Sequence, residues 1–160
     1  MKNTSLLLAS VVVVALGMGC QTAKSSKMST RATARAAQAQ STGKVHTVPA
    51  STTLYFESNE FQLAESSMDL LDRYALVLAK NPSARITITG HTDEVGPTEY
   101  NLMLGEARAR AARKYLIDLG ANPSQVRIVS LGEERPAVVG RTEEAWSKNR
   151  RDELYLAFGQ

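Results

Sequence analysis

One stretch of the chain concentrates residue types that could do chemistry. It reads GHTDEVGP over residues 90–97, it follows a strand-like run, and Arg108 stands fifteen residues after Asp93. Loops at the carboxyl ends of strands are where ligands most often bind in open α/β sheets. Asp93 and Arg108 are therefore candidate binding residues. An ion pair that ties the loop to the following helix is an equally good explanation of these two charges.

The start of that helix decides how Arg108 could act. If the helix begins near Gly105, Arg108 lies in its first turn, where an anion would meet both the guanidinium and the positive end of the helix. If the helix begins near Pro97, Arg108 lies deeper and the loop must reach it. The sequence leaves both starts open.

The remaining polar residues do not complete a catalytic set. His91 and Asp93 have the spacing of two metal ligands, but the chain has only two His and one Cys, and the other two lie far from this loop. A catalytic zinc site needs three protein ligands, so none is expected. Ser130 and Ser147 have no evident His–Asp relay. The chain is predicted to be no enzyme and to need no cofactor, with His91 as a structural hydrogen-bonding residue.

A second polar group lies near the carboxyl end. Trp146 and the cluster Asn149-Arg150-Arg151 stand where a short helical pattern gives way to an alternating one. They could form a surface for a partner, or a helix–strand corner that is anchored by its arginines. The sequence does not separate these two interpretations.

The elements that must position these residues follow from the hydrophobic periodicity. Alternating or β-type runs predict strands at 53–56, 85–89, 126–130 and 154–158. Helical spacing predicts one helix that stops at Asn81-Pro82, a second that ends at Gly120, and a short third at 143–149. The order β-α-β-α-β-α-β predicts an α/β (α+β) fold, a mixed sheet with helices packed over one face.

The first residues read as an export signal, predicted over residues 1–19. The apolar run from Leu6 to Leu16 is too short for a membrane-spanning helix, which needs about 20 apolar residues. Small residues before Cys20 resemble the processing site of bacterial lipoproteins, in which the cysteine becomes the first mature residue and carries acyl chains. An ordinary secretory signal with an unrelated cysteine is the alternative. Cys20 is the predicted lipidation site.

Charge divides the chain into parts. Residues 20–50 are predicted to be the lipidated Cys and a disordered tether, since 21–50 are rich in Ser, Thr, Ala and Gln, with five basic and no acidic residues. The formal charge of the whole chain is +3, but residues 51–160 carry 13 Lys+Arg and 16 Asp+Glu, a net charge of −3. Such a domain is poorly suited to a phosphate backbone, so no nucleic-acid partner is expected.

Four segments of the domain together carry a family pattern: LYFESNEF at 54–61, GHTDEVGPTEYNLMLGEARA at 90–109, SLGEERPAVVG at 130–140 and NRR at 149–151. On these motifs the stretch from Leu54 to Phe158 resembles the OmpA-like peptidoglycan-binding domain, and in particular the lipoproteins that carry it. GHTD followed by YNxxLGxxRA is the most specific of the motifs. The resemblance implies the same fold, a mixed sheet with helices on one face.

The resemblance also implies a ligand. In the family, the residues at the positions of Asp93 and Arg108 hold the free end of meso-diaminopimelate in the peptidoglycan stem peptide, an ammonium and a carboxylate on one carbon. Asp93 would accept hydrogen bonds from the ammonium, and Arg108 would bind the carboxylate. The other residues implied for the pocket wall are Phe56, Glu57, Asn101, Leu104 and Arg150. Glu57 is one methylene longer than the family's usual Asp.

For the whole chain, the resemblance implies an outer-membrane lipoprotein of a Gram-negative bacterium that faces the periplasm and links the membrane to the cell wall without catalysis. It implies peptidoglycan as the ligand and, through the Tol system in envelope integrity and cell division, TolB and TolA as protein partners. Two alternatives remain. One is an OmpA-like wall-anchoring lipoprotein that works without the Tol proteins, and the other is a peptidoglycan hydrolase, against which the missing catalytic set argues.

Overall fold

The computed structural model describes residues 48–159. The predicted signal peptide at 1–19, Cys20 and residues 21–47 of the predicted tether lie outside the described residues. Across 48–159, no helix has the length and apolar character needed to cross a membrane.

Four strands form one mixed sheet with the spatial order β1-β4-β2-β3. They are β1 (Ser51–Tyr55), β2 (Ala84–His91), β3 (Val126–Gly132) and β4 (Arg151–Phe158). Strand β4 runs antiparallel to both β1 and β2, whereas β2 and β3 are parallel. The parallel pair requires a helical crossover, and it brings the carboxyl ends of β2 and β3 to one edge of the sheet.

Three helices connect the strands: α1 (Glu65–Lys80), α2 (Thr98–Asp118) and α3 (Glu143–Asn149). Helix α1 ends just before Asn81-Pro82, because the residue before a proline is disfavoured in helical geometry. Helix α2 is followed by Gly120, whose φ of 99° lies in the left-handed region that favours glycine. The predicted order of strands and helices and the mixed sheet are confirmed, and a 3-10 turn at Pro123–Gln125 adds to them.

The alternation of the central strands builds the core. Ile86 and Ile88 of β2 pair with Leu156 and Leu154 of β4, and all four side chains are at most 3% exposed. Burying one such side chain contributes about 1.5–3 kcal/mol. The helices cover this face with Leu71, Tyr74, Leu78, Ala109, Ala112 and Leu116. Tyr155, on the opposite face, is 61% exposed, so the helices pack over one side of the sheet.

Helix α2 packs on the sheet through a pair of glycines. A Cβ at Gly90 would lie 2.0 Å from the carbonyl oxygen of Gly105, and a Cβ at Gly105 would lie 3.1 Å from the carbonyl oxygen of Gly90. The two backbones therefore touch directly. The helix begins at Thr98, directly after Pro97, which settles the choice between the two predicted starts. Gly105 is inside the helix because of this contact, not because the helix begins there.

The packed part of the chain begins within the segment predicted as tether. Val48 packs against the core, and the carbonyl oxygen of Pro49 accepts a hydrogen bond of 2.7 Å from the Tyr74 hydroxyl. The carbonyl oxygen of Ala50 accepts another from the Leu156 N–H at 2.7 Å. Residues 48–50 thus already contact the domain, upstream of the predicted boundary at residue 51.

Candidate functional site

A fully buried arginine stands where the end of β2 meets the middle of α2. Arg108 lies one turn after Gly105 and has no exposed surface. Its Nε donates to the carbonyl oxygen of Glu60 at 2.8 Å. Its Nη1 donates to that of His91 at 2.8 Å, and its Nη2 to that of Glu57 at 3.2 Å. A guanidinium has five N–H groups, so two remain for another acceptor.

The guanidinium of Arg108 joins three parts of the fold, namely α2, the end of β2 and the loop after β1. Its central carbon lies 5.0 Å from the centre of the Phe56 ring, within cation–π range. Arg108 is well beyond the first turn of α2, where the field of the helix end has fallen off. Burial lowers the pKa of Arg108, and the negative charges of Asp152 and Asp93 oppose that effect.

Asp93 lies in the loop after β2 and is 8% exposed. One carboxylate oxygen accepts a hydrogen bond from the Val95 N–H at 3.2 Å, and the other accepts from Nη1 of Arg150 at 3.2 Å. Asp93 therefore forms its ion pair with Arg150. The structural pair with Arg108 that the spacing also suggested is not formed among the described residues.

Arg150 closes this arrangement from the side of α3. Its Nε donates to the carbonyl oxygen of Phe56 at 3.3 Å, and its Nη2 pairs with Glu143 at the start of α3. Burial lowers the pKa of Arg150, but its hydrogen bonds to Glu143 and Asp93 outweigh burial and raise the pKa overall. The result is a permanently charged group, 4% exposed, beside Asp93.

The other predicted wall residues differ in how they relate to Asp93 and Arg108. Glu57 has an exposed side chain and offers Arg108 its carbonyl oxygen, a contact that does not depend on side-chain length. Leu104 is half-buried one turn before Arg108 on α2. Asn101 is 1% exposed and donates Nδ2 to Glu133 at 2.5 Å, which directs its amide toward the loop after β3. Its Oδ1 is buried without a partner in the described part of the chain.

Residues 149–151 form an anchored corner between α3 and β4, and all three are at most 6% exposed. Oδ1 of Asn149 accepts hydrogen bonds from the N–H groups of Ala137 at 2.8 Å and Val138 at 3.0 Å. Arg151 donates to the carbonyl oxygen of Arg135 at 3.3 Å. Of the two interpretations of this cluster, the structure supports the corner, because its three side chains are buried and bind neighbouring backbone and carboxylate groups.

The ring of His91 is not the hydrogen-bonding group that the sequence predicted. The side chain is 2% exposed, and neither ring nitrogen has a hydrogen-bond partner within residues 48–159. Burial lowers the pKa of His91 to about 4, helped by the charge of Arg151. It is the main-chain carbonyl of His91 that serves the site, through Arg108.

Sequence reasoning missed Asp152, which is fully buried beside the site. Both carboxylate oxygens are without a hydrogen-bond partner in the described residues. Burial raises the pKa of Asp152 well above its usual value, against the opposing charge of Arg108. The signal was available, since the alternation of Leu154 and Leu156 extends back to Asp152 and puts it on the buried face.

The hydroxyl groups considered for nucleophilic chemistry bond to backbone. Ser130 donates to the carbonyl oxygen of Leu102 at 2.7 Å, and Ser147 donates to that of Glu144 at 3.0 Å. Within the described range, no group of three or more His, Cys, Asp or Glu side chains is placed to hold a metal ion.

The arrangement is thus a buried cluster of opposite charges at the carboxyl edge of β2, on a mixed sheet with helices over one face. The family model described as the OmpA family matches residues 55–150, a segment that includes α1, α2 and α3 together with Asp93, Arg108 and Arg150. The chain belongs to the OmpA family.

Two relatives in sequence and one in structure carry the same name. The peptidoglycan-associated lipoprotein of Pseudomonas aeruginosa is 46% identical over 103 residues, which cover 64% of this chain and 61% of that protein. That of Haemophilus influenzae is 41% identical over 99 residues, covering 62% and 65%. The crystal structure of the peptidoglycan-associated lipoprotein from Burkholderia pseudomallei aligns with a TM-score of 0.64 and 39% identity, over 66% of this chain and 89% of that one. The chain matches about three fifths of the length of the first of these relatives.

Proposed function

We propose that the chain is a non-catalytic lipoprotein of the outer membrane that binds peptidoglycan through meso-diaminopimelate and so tethers the membrane to the cell wall. The observation that carries the proposal is the convergence of Asp93, Arg108 and Arg150 at one edge of the sheet. A ligand end with an ammonium and a carboxylate on one carbon matches such a mixed cluster. The names of the relatives supply the polymer to which that ligand end would belong.

Asp93 is suited to the ammonium. Each of its carboxylate oxygens accepts one hydrogen bond in the structure, and a carboxylate has about four lone-pair sites. It could therefore accept a charge-assisted bond from the ligand without releasing Val95 or Arg150. The existing bonds would hold the carboxylate in place before the ligand arrives, which lowers the entropic cost of binding.

Arg108 is suited to the carboxylate but lies behind the loop after β1. Two of its three hydrogen bonds go to the carbonyl oxygens of Glu57 and Glu60 in that loop. We expect the loop to move aside when the ligand carboxylate reaches the two free N–H groups. The bond to the carbonyl oxygen of His91 and the contact with the Phe56 ring would keep the guanidinium oriented during this exchange.

Sedimentation with purified sacculi tests the pocket. Asp93→Ala and Arg108→Ala should each weaken binding by about 30-fold or more, since removing one partner of a desolvated charge pair costs about 2–5 kcal/mol. The matched controls are Asp118→Ala and Lys114→Ala, which remove the partners of an exposed ion pair in the last turns of α2, the helix that carries Arg108. Both control variants should bind as the wild type does. Circular dichroism would establish that each variant is folded. Unchanged binding by both folded pocket variants would rule out this pocket.

The membrane anchor and the protein partners belong to the same proposal. Acylation at Cys20 predicts that metabolic palmitate labelling is lost in Cys20→Ala, and labelling that persists would contradict it. Membership of the Tol–Pal system, with TolB and TolA as partners, rests on the family resemblance of the sequence motifs at 90–109, 130–140 and 149–151. Co-purification of TolB after mild crosslinking would support that membership, and its absence would favour a wall anchor that works without the Tol proteins.

A further inference from the structure

Asp152 is an unusual group for the interior of a protein. Its side chain is fully buried, and both carboxylate oxygens lack a hydrogen-bond partner among the described residues. Buried carboxylates are normally paired or bonded, because an isolated buried charge costs several kcal/mol. A carboxyl group in this position is therefore stable only if a nearby positive charge compensates it or if it carries a proton.

The strand register places Asp152 beneath α2. On β4 it pairs with Gly90 of β2 on one side and with Leu54 of β1 on the other. Gly90 is the residue on which Gly105 of α2 rests, and Arg108 follows one turn along the same helix face. Asp152 thus lies on the inner face of the sheet, near enough to the Arg108 guanidinium for that charge to act on it. The carbonyl oxygens that bind Arg108 belong to the loop after β1 and to the end of β2.

Few charged groups face this pair. Among the described residues, Arg108 is the one charge that influences the pKa of Asp152, and the neighbours of Asp152 on β1 and β2, Leu54 and Gly90, are uncharged. Among the neighbours of Arg108, the charge of Asp152 has the largest effect on its pKa. Smaller effects come from Asp93 in the loop after β2, Arg150 in the corner before β4, and the Tyr100 hydroxyl at the start of α2. The ring of His91 is influenced instead by Arg151, Glu153 and Arg135.

We propose that Asp152 is a positioning residue that acts through Arg108: its carboxylate and the carboxylate of a bound ligand compete for one guanidinium, so that ligand binding is accompanied by uptake of a proton at Asp152. The inference rests on the proposed function, since it requires a ligand carboxylate at Arg108. The proton comes from solvent and forms an O–H bond on Asp152. No other covalent bond changes.

The proposal fixes the direction of the pH dependence. A second negative charge at Arg108 raises the pKa of Asp152 above its value in the free protein, so the protonated protein binds best. Affinity is then constant below the pKa that Asp152 has in the free protein. Between that pKa and the higher pKa of Asp152 in the complex, affinity falls by up to about tenfold per pH unit. Above the bound value it is constant again and lower. A residue that only supported the fold would not produce this profile.

The test is calorimetric titration of the purified protein with a diaminopimelate-containing muropeptide, from about pH 5 to pH 9, in buffers of different ionisation enthalpy. Between the free and bound pKa values of Asp152, the wild type should take up as much as one proton for each ligand bound. Asp152→Asn, which keeps the shape and mimics the neutral form, should lose that uptake and bind at high pH as tightly as at low pH. Asp118→Asn, an exposed acid-to-amide control on α2, should keep the wild-type profile.

Three outcomes would overturn the proposal. One is a folded Asp152→Asn variant that keeps the wild-type uptake and pH profile while binding the muropeptide. Another is a folded variant that binds at no pH, which would mean that the negative charge of Asp152 is required. Absence of binding by the wild type at every pH would contradict the proposed function itself. If Asp152→Asn does not fold, the carboxyl carbon of Asp152 in wild type, followed by NMR with and without ligand, must still show the pKa rise.

Discussion

Arg108 combines complete burial with two N–H groups that no backbone carbonyl uses. A charge this deep is tolerated because carbonyl dipoles, an aromatic face and two nearby carboxylates surround it. Lysine could not take its place, since one ammonium cannot reach acceptors in the loop and on β2 with the fixed geometry of a guanidinium. The same surroundings would orient the group for the planar carboxylate of the proposed ligand.

His91 gives the domain a pH dependence of its own. Its folded pKa of about 4 lies below the usual 6.5, so the unfolded chain binds more protons between these values and the free energy of unfolding rises with pH across this window. Below the window that stability is lost. When the pH falls from 7 to 4, the free energy of unfolding should decrease by about 2–3 kcal/mol less in His91→Gln than in wild type, as measured by urea denaturation. Parallel losses in the two proteins would contradict a buried neutral imidazole.

At the scale of elements, the contact between Gly90 and Gly105 positions the site. It sets the height of α2 above the sheet, and thereby the reach of Arg108 to the carbonyl oxygen of His91. Any side chain at Gly90 must push the helix away, because the atoms it would meet are backbone atoms that cannot rotate aside.

Gly90→Ala should therefore destabilise the domain by about 3 kcal/mol or more, or prevent folding. The matched control is Gly120→Ala, where a Cβ meets nothing within 4 Å and the cost comes only from the positive φ of 99°. That variant should lose about 1 kcal/mol. Urea denaturation measures the free energy of unfolding of both variants. Equal decreases relative to wild type would show that the glycine contact does not limit the packing of α2.

The elements were more predictable than the environment of the site. Alternation in β2 and helical spacing in α1 mark residues whose burial follows from a repeating pattern. The start of α2 carried no such mark, since Pro97 and Gly105 are both residue types that mark helix boundaries. Close contacts with Gly90 and Ser130 explain why a glycine stands at position 105 inside the helix. The pairing of Asp93 with Arg150, and the position of Asp152 under Arg108, depend on a strand and a corner from the far end of the chain. No local pattern encodes such distant neighbours.

At the scale of the whole molecule, charge is distributed by segment. The chain as a whole carries +3, while residues 51–160 carry a net −3. A domain with this charge balance has little electrostatic attraction to a polyanion, so its recognition of a ligand must come from a specific pocket. The proposed ligand end, which carries one charge of each sign, suits a cluster in which Asp93, Arg108 and Arg150 are almost completely withdrawn from solvent.

The most direct test compares two muropeptides that differ at one carbon. One carries meso-diaminopimelate at the third position of the stem, and the other carries lysine, which keeps the terminal ammonium and lacks the carboxylate that Arg108 would bind. Calorimetric titration of the wild type should give binding to the diaminopimelate form and at least about 30-fold weaker binding to the lysine form, since a desolvated charge pair left without its partner costs 2 kcal/mol or more. Equal affinity for the two muropeptides would contradict recognition of the zwitterionic end by Asp93 and Arg108.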